Sequence, residues 1–142
     1  MKIKVLLVDD ETEFVDSLSE RLELRLFDVK KSHNGDDAVS LLQQEDVDVI
    51  VLDVLMPGKD GIATLKEIKQ LKPLTQVIML TGNATVETAI SGMKLGAFDY
   101  LMKPTETEDL VQKINAAAKI KQEHDERIQQ AEIQNIIRQR GW

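Results

Sequence analysis

Cysteine is absent from this sequence, and aromatic residues and long apolar runs are scarce. The absence of cysteine excludes a disulfide framework and any thiolate metal site. Because Phe, Tyr and Trp together make up only 4% of the residues, the core must be built from Val, Ile, Leu, Met and Ala. No apolar run approaches the roughly 20 residues of a membrane span, so we expect no membrane insertion.

The chain is acidic, with a formal net charge of −7 at pH 7. An acidic surface repels phosphate backbones, which argues against direct nucleic-acid binding. The apolar stretch near the N-terminus stops at Asp9, well short of the roughly 7–15 residues of a signal-peptide core. We therefore expect a cytoplasmic protein with one main domain in its 142 residues.

Short apolar runs alternate with amphipathic stretches along the chain. The runs have strand length and lie at 3–8, 27–31, 47–52, 77–80 and 98–101. Apolar residues then recur at helical spacing in stripes that begin at Phe14, Ala38, Ile62, Val86 and Leu110. Asn34 is the expected N-cap of the second helix, and Pro73 ends the third. This order predicts an α/β fold with a doubly wound five-stranded parallel sheet flanked by five helices.

Residues 119–140 differ from the rest of the chain because they are rich in Gln, Glu, Lys and Arg, with isoleucines scattered among them. No Gly or Pro interrupts this segment before Gly141, so the last helix is predicted to continue past the domain. No register gives a clean heptad pattern, and a coiled coil and a solvated helical tail both remain open. We predict one domain over 1–120 and a helical C-terminal extension or linker over 121–142.

Polar side chains follow four of the predicted strands: Asp9 and Asp10, Asp53, Thr81, and Lys103. In an open parallel sheet, the carboxyl ends of the strands lie along one edge, and ligands bind where the strand order reverses. We therefore expect three carboxylates, one hydroxyl and one ammonium to converge at that edge.

The chemistry of this set points to a metal and a phosphoryl group. Crowded carboxylates raise one another's pKa values unless a cation is present. A few hard oxygen ligands with room for water and phosphate suit Mg²⁺, with Mn²⁺ as the alternative. Lys103 would then supply a positive charge for phosphoryl oxygens, and Thr81 a hydrogen bond. An aspartate in this setting can attack phosphorus and form an acyl phosphate.

Four motifs occur in order along the chain: Leu-Leu-Val-Asp-Asp-Glu at 6–11, Val-Leu-Asp-Val-Leu-Met-Pro-Gly-Lys-Asp-Gly at 51–61, Met-Leu-Thr-Gly at 79–82, and Gly-Ala-Phe-Asp-Tyr-Leu-Met-Lys-Pro at 96–104. Together they resemble the CheY-like receiver domain of bacterial two-component response regulators, over roughly residues 1–120. The resemblance implies the flavodoxin-like strand order 2-1-3-4-5. The stretch 84–103 further resembles receivers of sigma-54-type transcriptional activators.

The resemblance assigns roles to the acidic residues. Asp53 would be the phosphoacceptor. Asp10 and Asp53 would bind Mg²⁺ directly, together with the backbone carbonyl of Leu55. Asp9 would lie beside the metal and act through water.

The resemblance also assigns roles to the other residues of the site. Thr81 and Lys103 would bind the phosphoryl group. Tyr100 matches the family's aromatic switch residue, which turns inward when Thr81 moves, although it would equally fill the edge of the core. Leu55 and Asn83 occupy the two variable positions that tune phosphoryl lifetime. Because Leu55 has no polar side chain to hold an attacking water, slow self-dephosphorylation is a further hypothesis.

The same resemblance implies partners and an output. A sensor histidine kinase or a histidine phosphotransfer protein would donate the phosphoryl group. The protein would assist only its own phosphorylation and dephosphorylation and would not be an enzyme. The switched surface would comprise helix 4, strand 5 and helix 5, and a homodimer is predicted through residues 85–118 and the C-terminal helix.

Three alternative functions compete with this one. An inert receiver-like interaction domain would keep the fold without the chemistry, and the complete set of polar site residues argues against it. A Mg²⁺-dependent aspartyl-phosphate phosphatase of the haloacid dehalogenase type needs Asp-x-Asp-x-Thr/Val after its first strand, whereas 9–13 reads Asp-Asp-Glu-Thr-Glu. A flavodoxin-like cofactor binder would need a Ser/Thr-rich phosphate loop there. His33 and His124 are predicted to be surface residues away from any site.

Overall fold

Strands and helices alternate along the chain as the apolar pattern predicts. The computed structural model describes residues 2–54, 60–82 and 85–140. The strands are β1 (Lys4–Val8), β2 (Asp28–Ser32), β3 (Val49–Leu52), β4 (Gln76–Thr81) and β5 (Asp99–Met102). The helices are α1 (Thr12–Leu24), α2 (Gly35–Gln44), α3 (Gly61–Leu71), α4 (Val86–Lys94) and α5 (Thr107–Arg140).

The strands form one parallel sheet in the order β2-β1-β3-β4-β5, which confirms the predicted fold. The central strands β1, β3 and β4 are buried almost throughout because helices cover both faces of the sheet. The register pairs Val8 with Leu52, so β1 and β3 end at the same level. Leu52 in turn pairs with Met79, and β4 continues for two residues beyond Met79. The residues that follow these strands therefore meet at one edge.

The alternation of side chains along the strands divides the core into two layers. Val5 and Leu7 of β1 face α1 and α5, whereas Leu6 and Val8 face α2 and α3. Both layers are mainly aliphatic, as the scarcity of aromatic residues predicts.

Side-chain caps begin three of the helices. The Asn34 side chain accepts a hydrogen bond from the backbone of the first turn of α2 at 2.8 Å, which confirms it as the N-cap. Asp60 caps α3 in the same way, and Thr85 caps α4. α3 ends at Leu71, two residues before Pro73, as predicted.

The apolar stripe of α4 faces solvent rather than the core. Val86, Ile90 and Met93 are 77%, 49% and 46% exposed, and Gly92 is the one buried residue among the nine of this helix. Gly92 lets α4 approach β4 closely, because a Cβ there would lie 2.1 Å from the sulfur of Met79. α4 therefore packs through its backbone and leaves an apolar surface open.

α1 and α4 end in the same hydrogen-bonded motif but with different residues at its left-handed position. After α1, the N–H of Phe27 donates to the carbonyl of Leu22, and the N–H of Leu26 donates to that of Glu23, which is a Schellman motif. The left-handed residue is Leu26 here, with φ +68°, and Gly96 after α4, with φ +103°. A Cβ disfavours this region by about 1–2 kcal/mol, so α1 carries strain that α4 avoids.

Replacing Leu26 by glycine is expected to stabilise the protein. The Leu26 side chain is 70% exposed, so little burial is lost when the left-handed strain is removed. The free energy of unfolding, measured by urea denaturation, should rise by about 1 kcal/mol. Leu24 is the matched control because it is 81% exposed but helical, and Leu24→Gly should lower the same quantity by about 1 kcal/mol. A decrease for Leu26→Gly would contradict this explanation.

α5 is a single helix of 34 residues, and its first turns are anchored by four buried side chains: Leu110, Ile114, Ala117 and Ala118. Further along, Nζ of Lys121 lies 3.5 Å from Asp48, which precedes β3, and 2.9 Å from Asp125. Residues 126–140 are all exposed, so the predicted extension is a continuous helix without cover. None of the described helices combines the length and the apolar character that crossing a membrane requires.

Candidate functional site

Three carboxylates meet at the carboxyl edge of β1 and β3. Asp9 and Asp10 directly follow β1, and Asp53 directly follows β3. The N–H of Asp53 donates to the Val8 carbonyl at 2.9 Å, which extends the pairing of the two strands by one residue. One oxygen of each carboxylate lies within 4.8 Å of one oxygen of the other two. The structure thus brings the predicted acidic residues together.

Burial governs the electrostatics of this acidic cluster. Asp9 and Asp53 are 4% and 5% exposed, whereas Asp10 is exposed. Burial raises the pKa of Asp9 and the charge of Asp53 adds to the increase, although hydrogen bonds from Lys103 and the Glu11 N–H oppose it. A cation among these oxygens would offset the repulsion, and hard carboxylate oxygens are ligands that Mg²⁺ prefers. The donor set therefore fits a divalent cation.

Lys103 directs its ammonium group at the acidic cluster. Its Nζ donates a hydrogen bond to Asp9 at 2.6 Å, lies 3.3 Å from a carboxylate oxygen of Glu11, and lies 4.1 Å from the centroid of the Phe14 ring. Burial alone lowers the pKa of Lys103, but the hydrogen bond and charge of Asp9, with the charges of Asp53 and Glu11, raise it above its ordinary value. The ammonium thus stays charged, as binding an anion requires.

Thr81 and Tyr100 lie on the strands beside this cluster. Thr81 is the last residue of β4 and is buried, and its carbonyl accepts a hydrogen bond from the N–H of Lys103 at 2.9 Å. Tyr100 is half-buried in β5 and packs against the core layer that faces α3. This position is compatible with both interpretations of Tyr100, as a switch residue that turns inward and as a residue that fills the edge of the core. Leu55 and Asn83 lie outside the described residues.

α3 begins in direct contact with the backbone that carries Asp53. Gly61 is the first residue of α3, and its N–H donates to the Val54 carbonyl at 2.8 Å. A Cβ at Gly61 would lie 2.3 Å from the carbonyl oxygen of Asp53 and 2.5 Å from Cα of Val54. Only glycine fits so close an approach, so the start of α3 helps to position Asp53.

Three further residues near the site were not predicted from the sequence. Glu11 and Phe14 contact Lys103, and Nδ1 of His33 lies 3.4 Å from the Asp9 carbonyl oxygen. The prediction that His33 lies away from any site is therefore wrong. His33 directly follows β2, whose carboxyl end reaches the same edge as that of β1, so the strand-end rule would have found it. For Phe14, the sequence pattern indicates only a place in the apolar stripe of α1.

Comparison with known proteins relates this arrangement to a family. Residues 5–115 match the family model described as response regulator receiver domain. The transcriptional regulatory protein CpxR of Klebsiella pneumoniae is 45% identical over 113 residues, which make up 80% of this chain and 48% of that protein. The chain thus spans about half the length of the curated relatives it matches.

Solved structures agree with the family model. A CheY-like receiver domain protein from Methanospirillum hungatei superimposes with a TM-score of 0.84 at 27% identity, covering 87% of this chain and 99% of that one. A response regulator from Burkholderia pseudomallei, solved with a phosphorylated aspartic acid, a calcium ion and citrate, gives a TM-score of 0.77 at 26% identity, covering 99% of this chain and 86% of that one. This chain therefore belongs to the response regulator receiver family of two-component phosphorelay signalling.

Proposed function

We propose that this chain accepts a phosphoryl group on Asp53 from a phosphohistidine of a sensor histidine kinase or a histidine phosphotransfer protein. The observation that carries the proposal is the buried Asp53 carboxylate beside two further carboxylates and the charged Lys103. In the transfer, an Asp53 oxygen forms a bond to phosphorus while the phosphorus–nitrogen bond of the donor breaks. The leaving imidazole nitrogen keeps the electron pair of that bond and takes up a proton.

Mg²⁺, or Mn²⁺ in its place, fits the acidic edge. Asp10 and Asp53 would bind the ion directly, Asp9 would act through water, and the carbonyl of Leu55 would add a ligand from outside the described residues. A divalent cation cancels carboxylate charge and lets an anionic phosphoryl group approach. The raised pKa of Asp9 supports the need for such a cation.

Thr81 and Lys103 would bind the phosphoryl oxygens. Phosphorylation adds about −1.5 to −2 charges and three acceptor oxygens beside them. The ammonium of Lys103 already lies at the site, and the backbone N–H of Lys103 donates a hydrogen bond to the Thr81 carbonyl. A movement of Thr81 toward the phosphoryl group would give Tyr100 room to turn inward. Leu55 and Asn83 would set the lifetime of the phosphoryl group.

The output surface would comprise α4, β5 and α5, and its partner would be a second copy of this chain. The support is the open apolar stripe of α4, together with Met102 of β5, which is 54% exposed. A homodimer through residues 85–118 and the C-terminal helix would cover these side chains. In this proposal residues 1–120 form the phosphoacceptor domain and 121–142 its helical extension or linker.

This function is that of a switch and not that of an enzyme acting on other molecules. The chain would assist only its own phosphorylation and dephosphorylation. The phosphorylated aspartic acid in the Burkholderia pseudomallei response regulator supports an aspartate as the acceptor. The proposal also places this chain in the cytoplasm, which is the location expected from its sequence.

Treatment with acetyl phosphate tests the proposal. With Mg²⁺ present, the intact mass should show a single added phosphoryl group, and peptide mapping should locate it on Asp53. Removing the metal with EDTA should abolish the adduct because the uncancelled carboxylates repel the incoming anion, and Mn²⁺ should restore it. A native mass that doubles together with phosphorylation would identify homodimerisation as the output.

Other outcomes would favour the competing functions. If no adduct forms under any condition and beryllofluoride, a non-covalent phosphoryl analogue, does not bind, the inert interaction domain is the better conclusion. Steady turnover of a generic phosphate ester would instead favour the phosphatase. A strictly monomeric mass for the phosphorylated form would count against the homodimer.

A further inference from the structure

Lys103 is held by the segment that joins β1 to α1 and by the first turn of α1. Its Nζ donates to Asp9 at 2.6 Å, lies 3.3 Å from a carboxylate oxygen of Glu11 and lies 4.1 Å from the centroid of the Phe14 ring. The Lys103 side chain is only 14% exposed, so these groups replace much of the water that an ammonium normally binds. Three contacts from residues 9–14 thus fix its position.

Two of these contacts have no part in the proposed phosphoryl chemistry. Glu11 occupies the N-cap position of α1, yet its side chain makes no capping hydrogen bond and is directed at Lys103 instead. Phe14 is half-buried, and the face of an aromatic ring attracts a cation. Both residues therefore act on the ammonium of Lys103 and neither belongs to the acidic cluster.

We infer that Glu11 and Phe14 are positioning residues that hold Lys103 against α1 until a phosphoryl group binds. To bind phosphoryl oxygens, the ammonium has to exchange at least part of its present contacts for new ones. Each contact that stabilises Lys103 in the free protein therefore opposes binding of the anion. This inference rests on the proposed function because it requires Lys103 to be a phosphoryl ligand.

Removing a holding contact should tighten binding of a phosphoryl analogue. Glu11→Gln removes the charge at nearly constant size. Glu13→Gln is the matched control, because Glu13 lies in the first turn of α1 and, among the described residues, makes no ion pair with Lys103. In titrations with beryllofluoride and Mg²⁺, Glu11→Gln should bind about two- to five-fold more tightly than Glu13→Gln, the range of a partly exposed ion pair. Phe14→Leu, which keeps an apolar side chain, should also bind more tightly than the unchanged protein.

Proton NMR of the metal-free protein reports the position of Lys103 without any ligand. Nζ of Lys103 lies over the Phe14 ring, so the protons on the adjoining Cε should resonate upfield. Lys103→Arg identifies these signals by their loss. Phe14→Leu should abolish the upfield shift, Glu11→Gln should reduce it, and Glu13→Gln should leave it unchanged. A lysine that is held by other groups would show no response to Glu11→Gln.

The two measurements separate this inference from the proposed function. If the unchanged protein binds no beryllofluoride, the proposed function fails, and the NMR shift alone then decides whether Glu11 and Phe14 hold Lys103. An unchanged shift in Glu11→Gln would overturn the inference. So would beryllofluoride binding in Glu11→Gln that is no tighter than in Glu13→Gln.

Discussion

Replacing Asp53 by asparagine is expected to abolish Mg²⁺-dependent phosphorylation and to leave the protein folded. The amide carries no charge and cannot attack phosphorus. The intact mass of the variant should therefore stay constant under conditions in which acetyl phosphate fully modifies the unchanged protein. Asp53 is 5% exposed and its charge raises the pKa of Asp9. Because the substitution relieves this repulsion, the free energy of unfolding should equal or exceed that of the unchanged protein.

Asp16→Asn provides the matched control for this experiment. Asp16 lies outside the acidic cluster and pairs with Lys31 at 3.0 Å on the surface, so its loss should leave phosphorylation intact. A phosphoryl adduct on Asp53→Asn would place the acceptor elsewhere, with Asp9 and Asp10 as the first positions to map. A large loss of stability would show that Asp53 has a structural role that the electrostatic argument misses.

Gly61→Ala is expected to slow phosphorylation by about 100-fold, although alanine is normally the better residue in a helix. The added Cβ would lie 2.3 Å from the Asp53 carbonyl oxygen and 2.5 Å from Cα of Val54, which are backbone atoms that no rotamer change can move. The backbone carrying Asp53 must therefore shift, and a displacement of about 1 Å at a reacting group costs on the order of 100-fold in rate. The free energy of unfolding should also fall by about 1–3 kcal/mol, as in other overpacked sites.

Gly82→Ala is the matched control for Gly61→Ala. It separates the clash expected at Gly61 from a general effect of replacing a glycine near the site. Gly82 directly follows Thr81, and a Cβ there would meet Cβ of Lys103 at 3.9 Å, which is an ordinary contact. The phosphorylation time course and the urea denaturation curve of this variant should stay close to those of the unchanged protein. If Gly61→Ala behaves in the same way, the close approach of α3 does not position the acceptor.

The fold and the acidic edge could be predicted because two simple patterns determine them. Helices bury both faces of a parallel sheet, so its strands appear in the sequence as continuous apolar runs. All strands of such a sheet point the same way, so the residues after them meet at one edge whatever the packing of the helices. Asp9, Asp53 and Lys103 lie where this rule places them.

Contacts that depend on how the helices lie could not be predicted in the same way. Glu11 and Phe14 reach Lys103 only because the start of α1 approaches the loop after β5, and no spacing in the sequence encodes that approach. Periodicity likewise reveals an apolar face on α4 but not whether a neighbouring element covers it. The face is open because Gly92, and not the stripe, lies against Met79 of β4.

Besides the proposed roles of the site residues, two finer predictions stay predictions. The resemblance of 84–103 to sigma-54-type receivers is one of them, since the relatives named above are described only as CpxR transcriptional regulators. The domain limit at residue 120 is the other. It falls inside α5, which continues through it without a break.

Anchoring at one end only makes the far part of α5 an overhanging rod. Leu110, Ile114, Ala117 and Ala118 hold the first turns in the core, whereas residues 126–140 are all exposed. At a rise of about 1.5 Å per residue, Arg140 lies about 33 Å along the helix axis from Ala118. If the helix stays rigid, a tilt of about 5° at the anchored turns would move Arg140 by about 3 Å. A small adjustment of the core beneath α5 would thus be enlarged at the exposed end of the helix.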